Sequence, residues 1–255
     1  VNGDMVVGDG GNSRSNRLEV RNADLDVGGD LYFGYDAGAD YQTGLFADNA
    51  QVNITSNLYL RQDNEQLVIS NGADAVVGGA AVLGHVGGDE TLIISGSNTS
   101  LDVAQYVTVG HAQYSTNNLL LVSDGADAVS RGINIGRYDG TDNSIIIEGS
   151  GTTHSNFSSD IVMSPLHRGT GNEIRVEDGA YLYNGANLRV GEHSTSHDNT
   201  FTVTGSGTLW TNVGNVWVGE GGDSQSLIVS DNAGASVGGS KPCRSNCSRS
   251  SVFRA

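Results

Sequence analysis

Leu31-Tyr-Phe-Gly34, Ala81-Val-Leu-Gly84, Val107-Thr-Val-Gly110 and Ile133-Asn-Ile-Gly136 are four copies of one phrase, a short strand-like run closed by glycine. Met5-Val-Val-Gly8, Leu188-Arg-Val-Gly191 and Val216-Trp-Val-Gly219 repeat it. Two degenerate copies, Leu58-Tyr-Leu-Arg61 and Ile161-Val-Met-Ser164, fill the gaps. The nine closing positions lie 26, 27, 23, 26, 26, 28, 27 and 28 residues apart. A period this even is the mark of a stacked repeat architecture.

Within each unit, apolar and polar residues alternate over short stretches: Leu18-Glu-Val20, Leu25-Asp-Val27, Val52-Asn-Ile54, Leu101-Asp-Val103, Ile174-Arg-Val176 and Phe201-Thr-Val203. A period of two with β-branched residues predicts half-buried strands, and no stretch sustains a helical period. Three such strands fit each unit, as in Leu18–Val20, Leu25–Val27 and Leu31–Phe33. The expected fold is therefore all-β: a single-stranded, right-handed parallel β-helix of about nine rungs, ~26 residues each, over residues 1–240. Rungs ~4.8 Å apart give a rod of roughly 43 Å. One rung cannot bury enough apolar surface to offset the entropy of ordering it, so the turns must fold together. The pleat predicts that Val107, Val109, Ile133, Ile135, Leu188 and Val190 point inward and that Thr108, Asn134 and Arg189 point out.

The corners carry a second pattern. Asn71-Gly-Ala73, Asp124-Gly-Ala126, Asp178-Gly-Ala180 and Asp231-Asn-Ala233 alternate with Gly96-Ser-Asn98, Gly149-Ser-Gly151 and Gly205-Ser-Gly207. Asn-Gly and Asp-Gly supply positive φ at little steric cost, and two corner types imply a cross-section that alternates from rung to rung.

Leu-Val-Ile-Ser-Asn-Gly-Ala (67–73), Phe-Thr-Val-Thr-Gly-Ser-Gly-Thr-Leu-Trp (201–210) and Val-Trp-Val-Gly (216–219) together resemble the repeats shared by type V autotransporter passengers and PEP-CTERM surface proteins. The resemblance spans residues 1–240 and is specific for architecture. It implies a passenger β-helix displayed extracellularly or on the outer-membrane surface of a Gram-negative-type bacterium. It further implies a host or matrix glycan or protein as partner. No translocator barrel or sorting tail is visible in this chain.

Composition narrows the alternatives. Through Ser240 there are 29 acidic residues against nine arginines, and the only lysine is Lys241. Phosphate binding needs a basic footprint, so nucleic acid is not an expected partner. No run of about 18 apolar residues exists to span a membrane. The chain starts at Val1 without a signal-peptide pattern and is expected to be a fragment or a processed product. Residues 241–255 form a separate tail: Lys241-Pro-Cys-Arg244 stands where a strand is due, and Cys243 and Cys247 are the only cysteines. A truncated end there would leave an unpaired edge that invites edge-to-edge association.

Candidate chemistry is sparse. Loops after the closing glycine, including Gly87-Gly-Asp89, Asp139-Gly-Thr-Asp142 and Gly221-Gly-Asp223, have the residue types of stacked calcium turns without the strict nonapeptide pattern, so ordinary turn chemistry is expected. His85 and His111 lie one period apart and are expected as exposed loop residues rather than metal ligands. Trp210 and Trp217 share a rung; with Leu209 inward, both are expected to face out and could contact a glycan. Polysaccharide-cleaving β-helices gather carboxylates and cations on neighbouring outward positions. Asp26 is followed by Asn53, and no acidic cluster is evident around Arg175 or Arg189. The expected function is a non-catalytic exported surface β-helix, a passenger stalk or adhesin fragment, with no catalytic residues and no cofactor. The alternative is a glycan-binding or polysaccharide-cleaving β-helix.

Overall fold

The computed structural model describes residues 1–239; the expected tail, with Lys241, Pro242, Cys243 and Cys247, lies outside the described residues. The chain is a β-solenoid of three nine-stranded parallel sheets, and the described residues contain no α-helix. Each of rungs 1 to 8 contributes an opening, a middle and a closing strand, and rung 9 an opening and a middle strand among the described residues. In rung 1 these are Arg17–Arg21, Asp24–Val27 and Leu31–Phe33, and one further closing strand, Met5–Val7, precedes them. Every strand pairs with its equivalent one turn away, without slippage: Ala81 with Val107 and then Ile133, Leu92 with Leu120 and then Ile145.

Inward side chains of all three sheets form one continuous apolar core. The six residues expected inside, Val107, Val109, Ile133, Ile135, Leu188 and Val190, are all buried. Asn134 and Arg189 lie half-buried on the outer face. Thr108 departs from expectation: it is only 3% exposed, because it lies in the floor of a surface groove described below.

The closing glycines stack on one edge. Gly84, Gly110 and Gly136 all have positive φ, at 68°, 74° and 64°, and the Gly110 and Gly136 amides donate to Leu83 and Val109 one turn back. Positive φ is one reason for glycine. The second is space. A Cβ on Gly110 would overlap the side-chain amide of Asn143, one on Gly136 that of Asn172, and one on Gly8 that of Gln42. These amides belong to a column placed one residue before each opening strand: Asn16, Gln42, Glu65, Glu90, Asn118, Asn143, Asn172, Asn199 and Gln225. From Asn118 onward each amide nitrogen donates to the next amide oxygen, at 2.7, 2.9, 2.9 and 3.0 Å. Each oxygen accepts a second bond from the preceding column residue's backbone N–H, as Asn143 Oδ1 does from Asn118 at 3.2 Å. At the degenerate Ser164, the hydroxyl itself donates to the Gly169 carbonyl at 2.9 Å, with Asn199 Oδ1 3.2 Å away.

The alternating corners have an equally local cause. Where one rung places Gly72, Gly125 or Gly179, the next rung's Thr99, Thr152 or Thr208 hydroxyl accepts that glycine's N–H at 2.8–2.9 Å. The stacked position alternates between buried alanine (Ala73, Ala126, Ala180) and buried threonine, so adjacent corners fit as pairs.

These contacts separate two costs at glycine. Gly151 has φ +84° and nothing nearer to an added Cβ than Gly125 Cα at 3.8 Å. Gly151→Ala should cost only the left-handed backbone strain, ~1–2 kcal/mol. Gly136→Ala should cost that plus ~1–3 kcal/mol for a displaced, unsatisfied Asn172 amide. Denaturant unfolding of the two variants measures the gap.

Candidate functional site

The two tryptophans do not form a shared outward face. Trp210 is buried, with its ring 4.8 Å from Phe201, while Leu209 is 52% exposed, the reverse of the expected orientation. The register explains this. Trp210 pairs with the buried Leu182 and Asn212 with the buried Asn184, whose amide donates to Asn212 Oδ1 at 2.6 Å. Thr208, held inside as the acceptor for Gly179, sets the same parity at the other end of the strand. Trp217 does face out, under the Arg189 guanidinium at 4.4 Å.

Arg189 is also not isolated, contrary to the sequence expectation. It pairs with Asp160 at 3.0 Å, Glu220 at 2.6 Å and Glu192 at 3.5 Å, contributed by successive turns. Arg175 lies between Glu173 and Glu177 at 3.9 and 3.1 Å. The linear sequence hides the first cluster, because Asp160 and Glu220 lie a full turn away on either side. In the loops, Asp63 Oδ1 accepts the Gly88 N–H and Asp139 Oδ1 the Arg168 N–H, both turn contacts. Among the described residues no group of three or more His, Cys, Asp or Glu is arranged as a metal-ligand set. Asp26 and Asn53 stack as expected, Asn53 Nδ2 donating to Asp26 Oδ1 at 2.9 Å.

His85 and His111 do lie one rung apart, with parallel rings 5.1 Å between centroids, but they are half-buried rather than exposed. They sit inside a longer file of rings: Tyr32, Tyr59, His85, His111, Tyr138, His167 and His193, each within 5.9 Å of the next. Burial pushes the His111 imidazole down to about 4, with His85 and Arg137 adding to the effect, and lowers His85 as well. Both rings are therefore neutral at pH 7.

Beside this file the outer face of the closing sheet is hollowed into a groove of about 480 Å³. Val82, Thr108 and Asn134, the outward residues of three consecutive closing strands, form its floor. Tyr106 stands on one side, its ring lying over Gly132 and its hydroxyl 3.3 Å from Ser159 Oγ. The imidazoles, Tyr59, Ala80, Gln105, Arg137 and the Pro165–Leu166 turn complete the lining. Tyr106 and Leu166 remain 41% and 39% exposed. Among the described residues no carboxylate lines the groove and Arg137 is its only full charge, in a protein with 29 acidic residues. Sequence spacing pointed to the two histidines; Tyr106 and Leu166 come from positions outside the closing phrase.

A different anomaly lies inside the rod. At Glu65 and Glu90 the amide column is interrupted by two fully buried carboxyl groups, and none of their four oxygens has a hydrogen-bond partner among the described residues. Burial is the main cause that pushes Glu65 up to about 8 and Glu90 up to about 10; Asp40 and Asp63 repel the first, Glu65 the second. At neutral pH both are held as neutral acids, chemically close to the glutamine at position 42.

Comparison with known proteins found no matching family model, no matching curated protein and no matching solved structure.

The two acids fix a pH dependence. With folded-state values above the ordinary carboxyl value of 4.5, the native state keeps protons that the unfolded chain releases. Their contribution to stability is complete below about pH 4.5 and is lost as pH rises through about 8 and then about 10. Glu65→Gln and Glu90→Gln should each flatten the profile and add ~1–3 kcal/mol at pH 8. Urea titrations from pH 5 to pH 9 measure it.

Proposed function

We propose that the protein is a non-catalytic surface β-helix, exported and acting as a passenger stalk or adhesin fragment, with the groove on its closing sheet as the contact site. The carboxylate-free lining of that groove carries the reading. Acid–base cleavage of a glycosidic bond uses paired carboxylates flanking the bond. This groove instead offers tyrosine, imidazole edges, amide and hydroxyl groups and one guanidinium, a lining suited to holding a hydroxyl-rich ligand. The solenoid supports the display role, since every rung buttresses the next and the site rests on three stacked strands rather than on a mobile loop.

The glycan-binding alternative is favoured by the same groove and merges with the first reading: a stalk whose side wall grips a neutral or anionic saccharide. The Arg189 cluster supports it less, because Asp160, Glu192 and Glu220 already neutralise the guanidinium.

Glycan-array binding by the full chain tests the proposal. Tyr106→Ala and Arg137→Ala should each weaken capture at least tenfold, while Trp217→Ala leaves it unchanged. Affinity should be flat between about pH 7 and 8, because burial holds both groove imidazoles below the ordinary 6.5. Release of new reducing ends from a bound polysaccharide, or binding indifferent to both groove substitutions, would overturn it.

A further inference from the structure

The outer face of the opening sheet does not read as a solvated surface. Its central row, one residue per rung, runs Glu19, Leu45, Val68, Ile93, Leu121, Ile146, Arg175, in unbroken register. Five consecutive aliphatic side chains, half-exposed, form a stripe on the outside of the rod. The inward residues of the same strands, such as Leu92 and Ile94 around Ile93, are fully buried, so the core does not require these outward ones.

The stripe ends in charges of a particular order. Across the strand of rung 1 the outward residues are Arg17, Glu19 and Arg21; across rung 7 they are Glu173, Arg175 and Glu177. One triad is positive–negative–positive and the other is its inverse. The two lie equally far from Ile93, three rungs to either side.

We propose that this face is a homodimer interface, in which two copies pack opening sheet to opening sheet with their rods antiparallel. The twofold axis runs parallel to the strands through Ile93. That operation reverses the order of rungs but keeps the position along each strand. It sets Arg17 on the partner's Glu173, Glu19 on the partner's Arg175, and Arg21 on the partner's Glu177. Each pair occurs twice, as an isologous contact requires. Leu45 meets the partner's Ile146, Val68 the partner's Leu121, and Ile93 its own copy. Glu148 falls over Ala47, one rung from Arg21. The other face-to-face twofold, along the rod, would set Arg17 on Arg21 and Glu19 on Glu19, like charge on like, so the charge order selects the antiparallel arrangement.

The size is adequate. Seven rungs at ~4.8 Å by five residues at ~3.3 Å cover about 500 Å² on each copy, or about 1,000 Å² in total, at the lower end for a specific interface. The ion pairs within the rung 1 triad are about half exposed, with Arg17 and Arg21 side chains 56% and 45% accessible, and those of rung 7 are about one-third exposed, with Arg175 at 35%, so exchanging them for intermolecular pairs forfeits little. The aliphatic stripe supplies the association and the triads set its direction.

Sedimentation velocity on the full chain, up to about 100 μM, tests the proposal. The wild type should dimerise reversibly. Ile93→Lys, which places two cations on the twofold axis, should be monomeric with an unchanged melting temperature. Arg175→Glu should weaken the dimer at least tenfold. Adding Glu19→Arg to Arg175→Glu makes the triads all-positive and all-negative and should restore it. A monomeric wild type, a dimer indifferent to Ile93→Lys, or a double variant no tighter than Arg175→Glu would overturn the proposal.

Discussion

The structure depends on a hydrogen bond that only a missing side chain permits. At five corners before an opening strand an asparagine or glutamine (Gln42, Asn118, Asn143, Asn172 or Gln225) reaches back under a closing glycine one turn behind and fills the space a Cβ would take. From there it bonds the next rung's amide and a backbone carbonyl, as Asn172 does with Asn199 at 2.9 Å and Gly140 at 3.0 Å. A primary amide suits the position because it carries two donors and a two-lone-pair acceptor, enough to satisfy every group at a corner that water does not reach. The glycine period and the amide column are two sides of one packing solution, and both recur because each rung presents the same vacancy to its neighbour.

Cooperativity follows. Apolar burial holds the rungs together without specifying their vertical register, since a strand face of Leu, Ile and Val accepts several alignments. The amide column and the paired Thr–Gly corners do specify it, because a slip of one residue would leave buried donors and acceptors empty. The middle sheet adds a shorter column of the same kind, in which Asn156 donates to Asn184 and Asn184 to Asn212, at 2.7 and 2.6 Å. The polar interior therefore supplies the precision, and the apolar interior most of the driving force.

The sequence made the architecture legible because its period is carried by residues with a strong local meaning. Glycine at a fixed spacing and Val-x-Val alternation point to stacked strands before any contact is known. Parity at single strands was less legible. The run Thr208-Leu-Trp-Thr-Asn212 permits either face inward on hydrophobicity alone, and a threonine hydroxyl bonded one rung away decides it. Clusters such as Arg189 with Asp160 and Glu220 were hidden for a related reason: their members lie 29 and 31 residues apart, and only the exact rung length brings them together. The aliphatic stripe was present as Leu92-Ile-Ile94 and Ile145-Ile-Ile147, runs apolar at three successive positions, where a one-sided strand should alternate. The column itself, with acids at Glu65 and Glu90, was visible only as nine unremarkable polar residues, each standing just before an apolar run.

The amide column locks neighbouring rungs together. Native-state hydrogen exchange along the opening sheet measures that locking rung by rung. Rungs 3 and 4, Gln66–Ser70 and Thr91–Ser95, follow the two acids; rungs 6 and 7, Ser144–Glu148 and Glu173–Glu177, follow Asn143 and Asn172. At about pH 5, where both acids are protonated, rungs 3 and 4 should already be somewhat less protected than rungs 6 and 7, because the column is interrupted at Glu65 and Glu90. At about pH 9, rungs 3 and 4 should open more readily while rungs 6 and 7 keep their protection. Equal protection across all four strands at both pH values would contradict the account.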